Sequence, residues 1–149
     1  MKKWSSEIEI DAPIDKVWAL FDGSLKDMQK IMPQVIANDP VEQTEEGIGS
    51  IHLQKFQEGK QVMEYMVETL EYVNNPDGKK KKIGFTLSDI FEVTRGYELI
   101  KLDDHKTLFK YTSTNRALKL YVRLFSMFAS NKVSLGFVQR VKEVAESKD

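Results

Sequence analysis

At 149 residues the chain is predicted to form one domain, and it is long enough to bury a substantial core. Its 22 basic and 23 acidic side chains give a net charge of −1, which argues against the broad positive surface that nucleic-acid binding needs. The absence of cysteine excludes disulfides and thiolate zinc sites, and two histidines are too few for a histidine metal cage, so neither a metal nor a cofactor is expected.

The N-terminal segment predicts a strand followed by a short helix. Ile8 and Ile10 alternate with acidic residues, which is the period-two pattern of a strand with one buried face. Because Glu7 and Glu9 precede any apolar run, we expect no signal peptide and a cytoplasmic protein. After Pro13, apolar residues recur at helical spacing, at Ile14, Val17, Trp18 and Phe21.

A second short helix and an edge strand are predicted next. Ser24 and Asp27 form a capping-box pattern, and Pro33 ends the helix. Residues 35–44 then indicate an interrupted strand, in which Pro40 favours an edge position or a bulge because proline cannot donate a ladder hydrogen bond. The apolar residues of the helix are Leu25, Met28, Ile31 and Met32.

Two alternating segments, residues 50–57 and 61–73, predict a β-hairpin. The Glu58-Gly59 pair is the turn signal, and with these two residues as the loop His52 faces Tyr65. A slip of one residue would exchange the two faces of the hairpin, and the apolar count does not decide between them. With the predicted register, one face carries Ser50, His52, Gln54, Phe56, Met63, Tyr65, Val67 and Thr69.

Three further strands are predicted after the hairpin. Four consecutive lysines, residues 79–82, follow a strong turn at residues 74–78. We interpret them as a solvated edge that discourages strand pairing, with contact to an anionic surface as the alternative. Alternation places these residues on shared faces: Ile83, Phe85 and Leu87, then Phe91, Val93, Arg95, Tyr97 and Leu99, then Phe109 and Tyr111.

Residues 115–146 predict a long C-terminal helix that Asn115 opens. Residues 117–129 are apolar almost all round, whereas the second half has a polar side. Ser130 and Asn131 mark the change and could cap a separate helix, so a break there is an alternative. The apolar side is formed by Phe128, Leu135, Val138, Val141 and Ala145.

Together the elements predict an α+β fold in a single domain, residues 1–149. The simplest packing is a curved antiparallel sheet of about seven strands with two short helices and a long C-terminal helix across its concave face, because each element has one apolar side to bury. A curved sheet and a straight helix leave space between them, and that space is a candidate pocket.

Four parts of the chain carry a family resemblance. They are residues 10–18, residues 32–36 together with the glycine-rich segment 46–51, residues 70–73, and residues 138–146. In order and spacing they resemble the START-like or helix-grip superfamily (SRPBCC), which includes polyketide cyclase/dehydrase-like proteins and the plant pathogenesis-related pollen allergens. The glycine-rich loop is shorter and more acidic than the plant version and is not a phosphate-cradling motif. The resemblance implies binding of a hydrophobic small molecule between sheet and helix, with cyclisation, dehydration or aromatisation in a minority of members.

The sequence shows no nucleophile elbow, paired metal ligands or cofactor fingerprint. We therefore expect binding of a lipid, isoprenoid or polyketide rather than catalysis. The alternative is a cyclase- or dehydratase-type enzyme in which His52 is the general base, Tyr65 the donor, and Arg95 holds a carboxylate or enolate. The structural alternative for His52 is a sheet residue that is exposed or has its hydrogen bonds satisfied within the protein. The alternative for Arg95 is a side chain that faces outward or pairs with a glutamate. The predicted ligand-binding residues are His52, Gln54, Phe56, Met63, Tyr65, Val67, Phe85, Leu87, Val93, Arg95, Tyr97, Phe109, Tyr111, Phe125, Phe128 and Leu135.

The apolar part of the last helix has three interpretations. It is too short and too charged, with Lys119 and Arg123, to span a bilayer. It could line the pocket, contact a membrane surface transiently, or bind a protein in the manner of a chaperone co-activator. We expect a monomer with a hydrophobic small molecule as its partner. The residues concerned are Leu120, Leu124, Phe125, Met127 and Phe128.

Overall fold

The computed structural model describes residues 1–87, 89–118 and 132–147. Within these ranges the strands are β1 (Lys2–Ile10), β2 (Val35–Glu42), β3 (Ile51–Glu58), β4 (Gln61–Asn74), β5 (Gly78–Leu87), β6 (Phe91–Asp103) and β7 (Lys106–Ala117). The helices in the same ranges are α1 (Ile14–Asp22), α2 (Leu25–Ile31) and α3 (Lys132–Glu146). None of the helices described is long and apolar enough to cross a membrane.

All seven strands form one antiparallel sheet in the order β1-β7-β6-β5-β4-β3-β2. Pro40 lies in β2, which is an edge strand with register shifts on both sides of its centre. Further shifts interrupt β4 between Thr69 and Glu71 and β6 between Lys101 and Asp103. Such bulges bend a strand and increase its twist. The predicted α+β fold, a curved sheet with two short helices and a C-terminal helix, is confirmed.

Local signals in the sequence explain the two short helices. Gly23 ends α1, and its N–H donates to the Ala19 carbonyl at 3.0 Å. The hydroxyl oxygen of Ser24 accepts a hydrogen bond from the Asp27 N–H at 3.2 Å, which satisfies one of the free donors at the start of α2. The Ser24–Asp27 capping prediction is therefore confirmed.

The packed core occupies one half of the sheet. Helix α3 contacts β1 and β7, α1 contacts β6 and β7, and α2 contacts β2 and α3. The largest group of buried residues accordingly comes from α1, α3, β1, β6 and β7, with Ile10, Val17, Leu99, Phe109 and Val141 all at 0% exposure. Over β3, β4 and β5 the corresponding cluster is small and consists of Val67, Phe85 and Val93. The helices therefore fill the space above one end of the sheet far more completely than above the other.

The predicted start of the C-terminal helix is wrong. Asn115 still belongs to β7, where it pairs with Lys2 on one side and with Val93 on the other. Two ladder partners outweigh the helix pattern of the residues that follow. The proposed break at Ser130 and the apolar segment from Leu120 to Phe128 lie outside the described residues.

Helix α3 buries three of its predicted apolar residues, Val138, Val141 and Ala145. Leu135 is different: it is 52% exposed, whereas the neighbouring Ser134 is 5% exposed. Successive helical residues are rotated by about 100° at 3.6 residues per turn. The stripe that faces the sheet passes through Ser134, so Leu135 is turned away from it and its assignment to the apolar side is wrong.

The hairpin register is also different from the predicted one. Glu58 pairs with Gln61, so Gly59 and Lys60 form the turn, and Gly59 has a φ of +60°. A positive φ at the first turn residue is typical of a type II′ hairpin. Moving the turn by one residue moves each partner by two, so His52 faces Val67 instead of Tyr65. A shift of two keeps every side chain on its predicted face.

The lysine run does not mark a sheet edge. Its strand, β5, lies in the middle of the sheet and pairs on both sides. Lys79 and Lys81 continue the inward-facing alternation of β5, and the Lys79 side chain is only 7% exposed. Lys79 lies 5.9 Å from the ring centre of Trp18 and 3.4 Å from an Asp15 carboxylate oxygen. The interpretation of these residues as a solvated edge is therefore wrong.

Candidate functional site

A cavity of about 900 Å³ lies between the concave face of the sheet and the helices. Its sheet wall comes from β3, β4, β5 and β6, its opposite wall from α1, α2 and α3, and one rim from the loop between β2 and β3. It lies over the half of the sheet that the packed core leaves uncovered. The predicted space between sheet and helix is thus confirmed within the described residues.

The structure brings ten of the predicted site residues to the cavity wall: His52, Gln54, Phe56, Met63, Tyr65, Val67, Phe85, Leu87, Arg95 and Tyr97. Val93, Phe109 and Tyr111 are at most 5% exposed, and they belong to the buried clusters instead of the wall. Leu135 is exposed on the outer side of α3. Phe125 and Phe128 lie outside the described residues.

A hydrogen-bonded chain of polar side chains crosses the sheet at one side of the cavity. The hydroxyl of Tyr65 donates to the Oε1 of Gln54 at 2.8 Å. The Nε2 of Gln54 in turn lies 3.5 Å from the Oδ1 of Asn38 and 3.9 Å from the sulfur of Met28. Burial raises the pKa of Tyr65, although the charge of Arg95 opposes this. Tyr65 is therefore a neutral phenol whose proton is directed to Gln54.

Arg95 lies against an aromatic wall. Its guanidinium carbon is 5.7 Å from the ring centre of Phe85, and Tyr65 stacks on Phe85 with ring centres 4.7 Å apart. The buried Nε of Arg95 and the buried hydroxyl of Tyr97 have no hydrogen-bond partner among the described residues. Burial lowers the pKa of Arg95, but interactions with Tyr111, Tyr97 and Tyr65 outweigh it and leave the pKa raised. Arg95 is therefore a permanent cation at the wall of the cavity.

A second polar group joins α1 to the sheet. Asp22 accepts a hydrogen bond from the Tyr72 hydroxyl at 2.6 Å and pairs with the ammonium of Lys81 at 3.2 Å. Lys81 also donates to the Phe21 carbonyl at 3.2 Å. Burial and the hydrogen bond to Asp22 raise the pKa of Tyr72 to about 12. Each of these three side chains has its partner within the group.

His52 lies on the same wall near this group. Burial lowers its pKa, the charge of Lys81 lowers it further, and Asp22 opposes both. The imidazole is consequently neutral at pH 7 and has one nitrogen able to accept a proton. The base-donor pair predicted from the sequence is not formed, because His52 faces Val67 and Tyr65 donates to Gln54.

Several wall residues were absent from the sequence prediction. Asp22 and Tyr72 are separated by 50 positions, so no local pattern could have connected them. Lys81 could have been found, because it continues the alternation of Ile83, Phe85 and Leu87. Further contributions come from helix faces, loops and the edge strand β2, whose approach depends on tertiary packing. They include Met28, Ile31, Met32, Asn38, Thr44, Glu45, Gly136, Phe137 and Arg140.

No protein-family model matches the chain, and no curated protein matches it significantly in sequence. Solved structures do match. A truncated norcoclaurine synthase from Thalictrum flavum is similar with a TM-score of 0.68 and 14% identity over 99% of this chain and 95% of that one. Ara h 8.0201 is similar with a TM-score of 0.67 and 14% identity over 97% of each chain. The di-domain ARO/CYC protein BexL from the BE-7585A biosynthetic pathway is similar with a TM-score of 0.71 and 14% identity over 98% of this chain and 47% of that one.

The chain has the helix-grip fold. The resemblance found in the sequence is thus confirmed for the architecture. In this helix-grip domain the cavity offers a large volume with apolar and polar walls, a hydrogen-bonded amide, a neutral imidazole and one partly buried guanidinium. Within the described residues no three histidine, aspartate or glutamate side chains lie close enough to hold a metal ion. This wall offers hydrophobic contacts, hydrogen bonds, charge and, at His52, a proton acceptor.

Proposed function

We propose that the protein binds a hydrophobic or amphipathic small molecule, such as a lipid, isoprenoid or polyketide, in the cavity between the sheet and α3. The observation that carries this proposal is the volume of about 900 Å³ beside a core that is otherwise well packed. Ligand pockets typically have volumes of roughly 300–1,000 Å³ and mostly apolar walls with a few polar groups. Without a ligand, the apolar side chains of a pocket of this size stay in contact with water, and a bound apolar molecule would remove that cost.

The comparisons support a small-molecule ligand. Norcoclaurine synthase has been solved in complex with dopamine and hydroxybenzaldehyde, and BexL is an ARO/CYC protein of a biosynthetic pathway. At 14% identity these similarities concern the fold, so the nature of the ligand has to come from the wall of this cavity. That wall is mainly aromatic and aliphatic along β4 and β5, whereas β3 contributes His52 and Gln54 beside Phe56.

A pair of variants on β4 tests the proposal. Met63 lines the cavity, whereas Met66 is 52% exposed on the outer face of the same strand. Met63→Glu places a charge on the apolar wall, while Met66→Glu places the same charge in water. We expect the wild type and Met66→Glu to bind the neutral fluorescent dye Nile red with equal affinity. Met63→Glu should bind it at least about tenfold more weakly, because burying an unpaired carboxylate is unfavourable.

Circular dichroism and thermal unfolding of both variants establish that they are folded before binding is compared. Native mass spectrometry of the freshly purified wild type provides an independent readout, in which a co-purified small molecule supports the proposal. Equal dye binding by Met63→Glu and Met66→Glu would place the dye outside the cavity and contradict the proposal.

A cyclase or dehydratase activity is a second candidate, and the neutral imidazole of His52 at the cavity wall favours it. Such an imidazole can accept a proton from a carbon next to a ligand carbonyl. Turnover of a polyketide-like ketone by the wild type, lost in His52→Ala, would support an enzyme. Turnover that is unaffected by His52→Ala would exclude His52 as the base.

A further inference from the structure

We propose that the ligand carries a single carboxylate, which binds to the guanidinium of Arg95 and the hydroxyl of Tyr97 inside the cavity. This inference rests on the proposed function and specifies the class of ligand: an amphipathic acid whose apolar body lies along β3, β4 and β5.

The cavity wall contains one more cationic side chain than acidic ones. Lys81 is paired with Asp22 at 3.2 Å. Arg140 is exposed, and it donates to the Ile31 carbonyl at 3.4 Å. The other acidic wall residue, Glu45, is exposed in the loop between β2 and β3. Arg95 is thus the wall cation that has neither a carboxylate partner among the described residues nor an exposed position in water.

The rest of the chain supplies almost no candidate for this missing anion. Residues 119–131 contain no aspartate or glutamate. The neighbouring strands β5 and β7 contain no acidic residue. On β6 itself Glu92 and Glu98 lie at even positions, whereas Arg95 and Tyr97 lie at odd positions that face the cavity, and Asp103 is exposed at the end of the strand. Arg95 is partly buried, with its Nε fully buried, and a cation in such a position is costly without a counter-ion. A negatively charged ligand group would remove that cost.

The donors around Arg95 fit a carboxylate. Its Nε is buried without a partner, and so is the hydroxyl of Tyr97, whose residue is 3% exposed and lies two positions further along the same face of β6. A guanidinium presents parallel N–H donors that match the two oxygens of a carboxylate. Arg95 supplies one positive charge that no acidic side chain neutralises. A ligand with one negative charge matches it better than a doubly charged phosphate ester does.

The neighbouring aromatic rings hold the guanidinium in place. Phe85 lies 5.7 Å from the guanidinium carbon, and Tyr97 stacks on Phe21 with ring centres 4.4 Å apart. Tyr65, the other phenol of this wall, is already engaged with Gln54 at 2.8 Å. The Nε of Arg95 and the hydroxyl of Tyr97 are therefore the buried donors of this wall that lack a hydrogen-bond partner among the described residues, and the two side chains also interact with each other.

Competition with bound Nile red tests the inference using three probes of equal chain length: dodecanoic acid, dodecan-1-ol and methyl dodecanoate. For the wild type at pH 8 we expect the acid to displace the dye at concentrations about tenfold to a hundredfold lower than the alcohol or the ester. This range corresponds to hydrogen bonds with a charged group. Arg95→Met should lose the preference for the acid while its affinity for the alcohol stays within about twofold.

Arg116→Met is the matched control, because Arg116 is exposed on β7 and is not a wall residue. It should retain the wild-type preference for the acid. Tyr97→Phe preserves the ring and should reduce the preference by a smaller factor than Arg95→Met. The wild-type comparison of acid with alcohol needs no variant, so the inference stays testable even if Arg95→Met fails to fold.

The outcomes separate this inference from the proposed function. Displacement by acid, alcohol and ester at equal concentrations, or a preference for the acid that persists in Arg95→Met, would overturn the carboxylate site and leave hydrophobic binding intact. Failure of the wild type to bind Nile red or any of the three probes would overturn both.

Discussion

The polar side chains of the cavity differ in whether the protein itself satisfies them. Asp22, Tyr72 and Lys81 bind one another and hold α1 against the sheet. Arg95 and Tyr97 lack such partners among the described residues. Buried polar groups in folded proteins nearly always have a hydrogen-bond partner, so the exceptions point to function more strongly than the satisfied groups do. At this scale the first group is structural and the second is the candidate for ligand recognition.

His52 gives a prediction for pH dependence. Its pKa lies below the ordinary value of 6.5, because burial and Lys81 disfavour the imidazolium. Between the folded pKa and 6.5 the unfolded chain binds more protons than the folded one. The free energy of unfolding should therefore be largest above this window and decrease as the pH falls through it.

Two measurements check the behaviour of His52. Urea unfolding of the wild type at pH 8 and pH 5 should show a larger loss of stability on acidification than the same experiment on His52→Gln. An NMR titration of the imidazole, identified by the resonances missing in His52→Gln, should give a midpoint below 6.5. A midpoint at or above that value would contradict the burial of His52 in the cavity wall.

The residues that share a sheet face were predictable, but the face that lines the cavity and the partners of each residue were not. Period-two alternation grouped His52 with Gln54 and Arg95 with Tyr97, and the structure shows that both groups lie at the cavity wall. The cross-strand partner of Tyr65 depends on the position of the turn. With the turn one residue later than predicted, Tyr65 lies opposite Gln54 instead of His52. The position of the glycine does distinguish the two turns, because a type II′ turn has glycine first, and this favours Gly59-Lys60 over Glu58-Gly59. The sequence therefore predicts which side chains share a face better than which ones bind each other.

Among the elements, the loop between β2 and β3 is held close to the cavity by a backbone that only glycine adopts easily. Gly47 and Gly49 have φ values of +85° and +87°. A Cβ added to Gly47 would lie 2.7 Å from the ring of Tyr72, whereas one added to Gly49 would meet only the methyl group of Thr44, at 3.7 Å. A side chain at either position would therefore strain the backbone, but only a side chain at Gly47 would also clash with Tyr72.

Alanine substitution at both glycines separates these two effects. Gly49→Ala should lower the free energy of unfolding by about 1 kcal/mol, from the unfavourable backbone conformation alone. Gly47→Ala should cost about 1–3 kcal/mol more, because the new methyl group would displace Tyr72 from its hydrogen bond with Asp22. Chemical denaturation gives both values. Equal losses in the two variants would mean that Tyr72 moves without cost.

Most of the strands and helices were predicted correctly. Two of the errors, the edge assignment of the β5 lysines and the helix start at Asn115, have the same cause. The lysines of β5 and Asn115 of β7 have low strand propensity, yet each lies in a strand with hydrogen-bonded neighbours on both sides. Position in the sheet decided their conformation, and sequence patterns do not show which strands are central. A buried partner such as Asp22 for Lys81 then makes an inward lysine tolerable.

In the whole molecule, the cavity exists because the helices cover the sheet unevenly. Helix α3 contacts β1 and β7, and α2 contacts β2, so the strands between them lie under neither helix directly. The side of α3 toward the cavity contributes Val133, Gly136, Phe137 and Arg140. A glycine inside a helix costs about 1 kcal/mol relative to alanine. Gly136 leaves open space beside this wall, because no atom of the described residues lies within 4 Å of a Cβ built there.

Gly136 therefore offers the last prediction, in which stability and binding change separately. No atom of the described residues lies within 4 Å of a Cβ added at Gly136. Gly136→Ala should raise the free energy of unfolding by roughly 0.5–1 kcal/mol and leave the affinity for Nile red unchanged. Gly136→Phe keeps the backbone of α3 helical but places a ring in the cavity. The ring should displace apolar contacts with the dye, which are worth about 0.8 kcal/mol per buried methylene. We therefore expect the affinity for the dye to fall by about tenfold or more.

Gly136→Ala is the control for Gly136→Phe, because both remove the glycine and only the phenylalanine fills space. Fluorescence titration gives the two affinities, and urea unfolding shows that both variants are folded. Should Gly136→Phe bind the dye as tightly as Gly136→Ala, the dye would not occupy the volume between α3 and the sheet. If Gly136→Phe binds the dye more weakly and is as stable as the wild type, the dye occupies that volume. In that case the protein is folded and the phenylalanine ring fills the space that the dye needs.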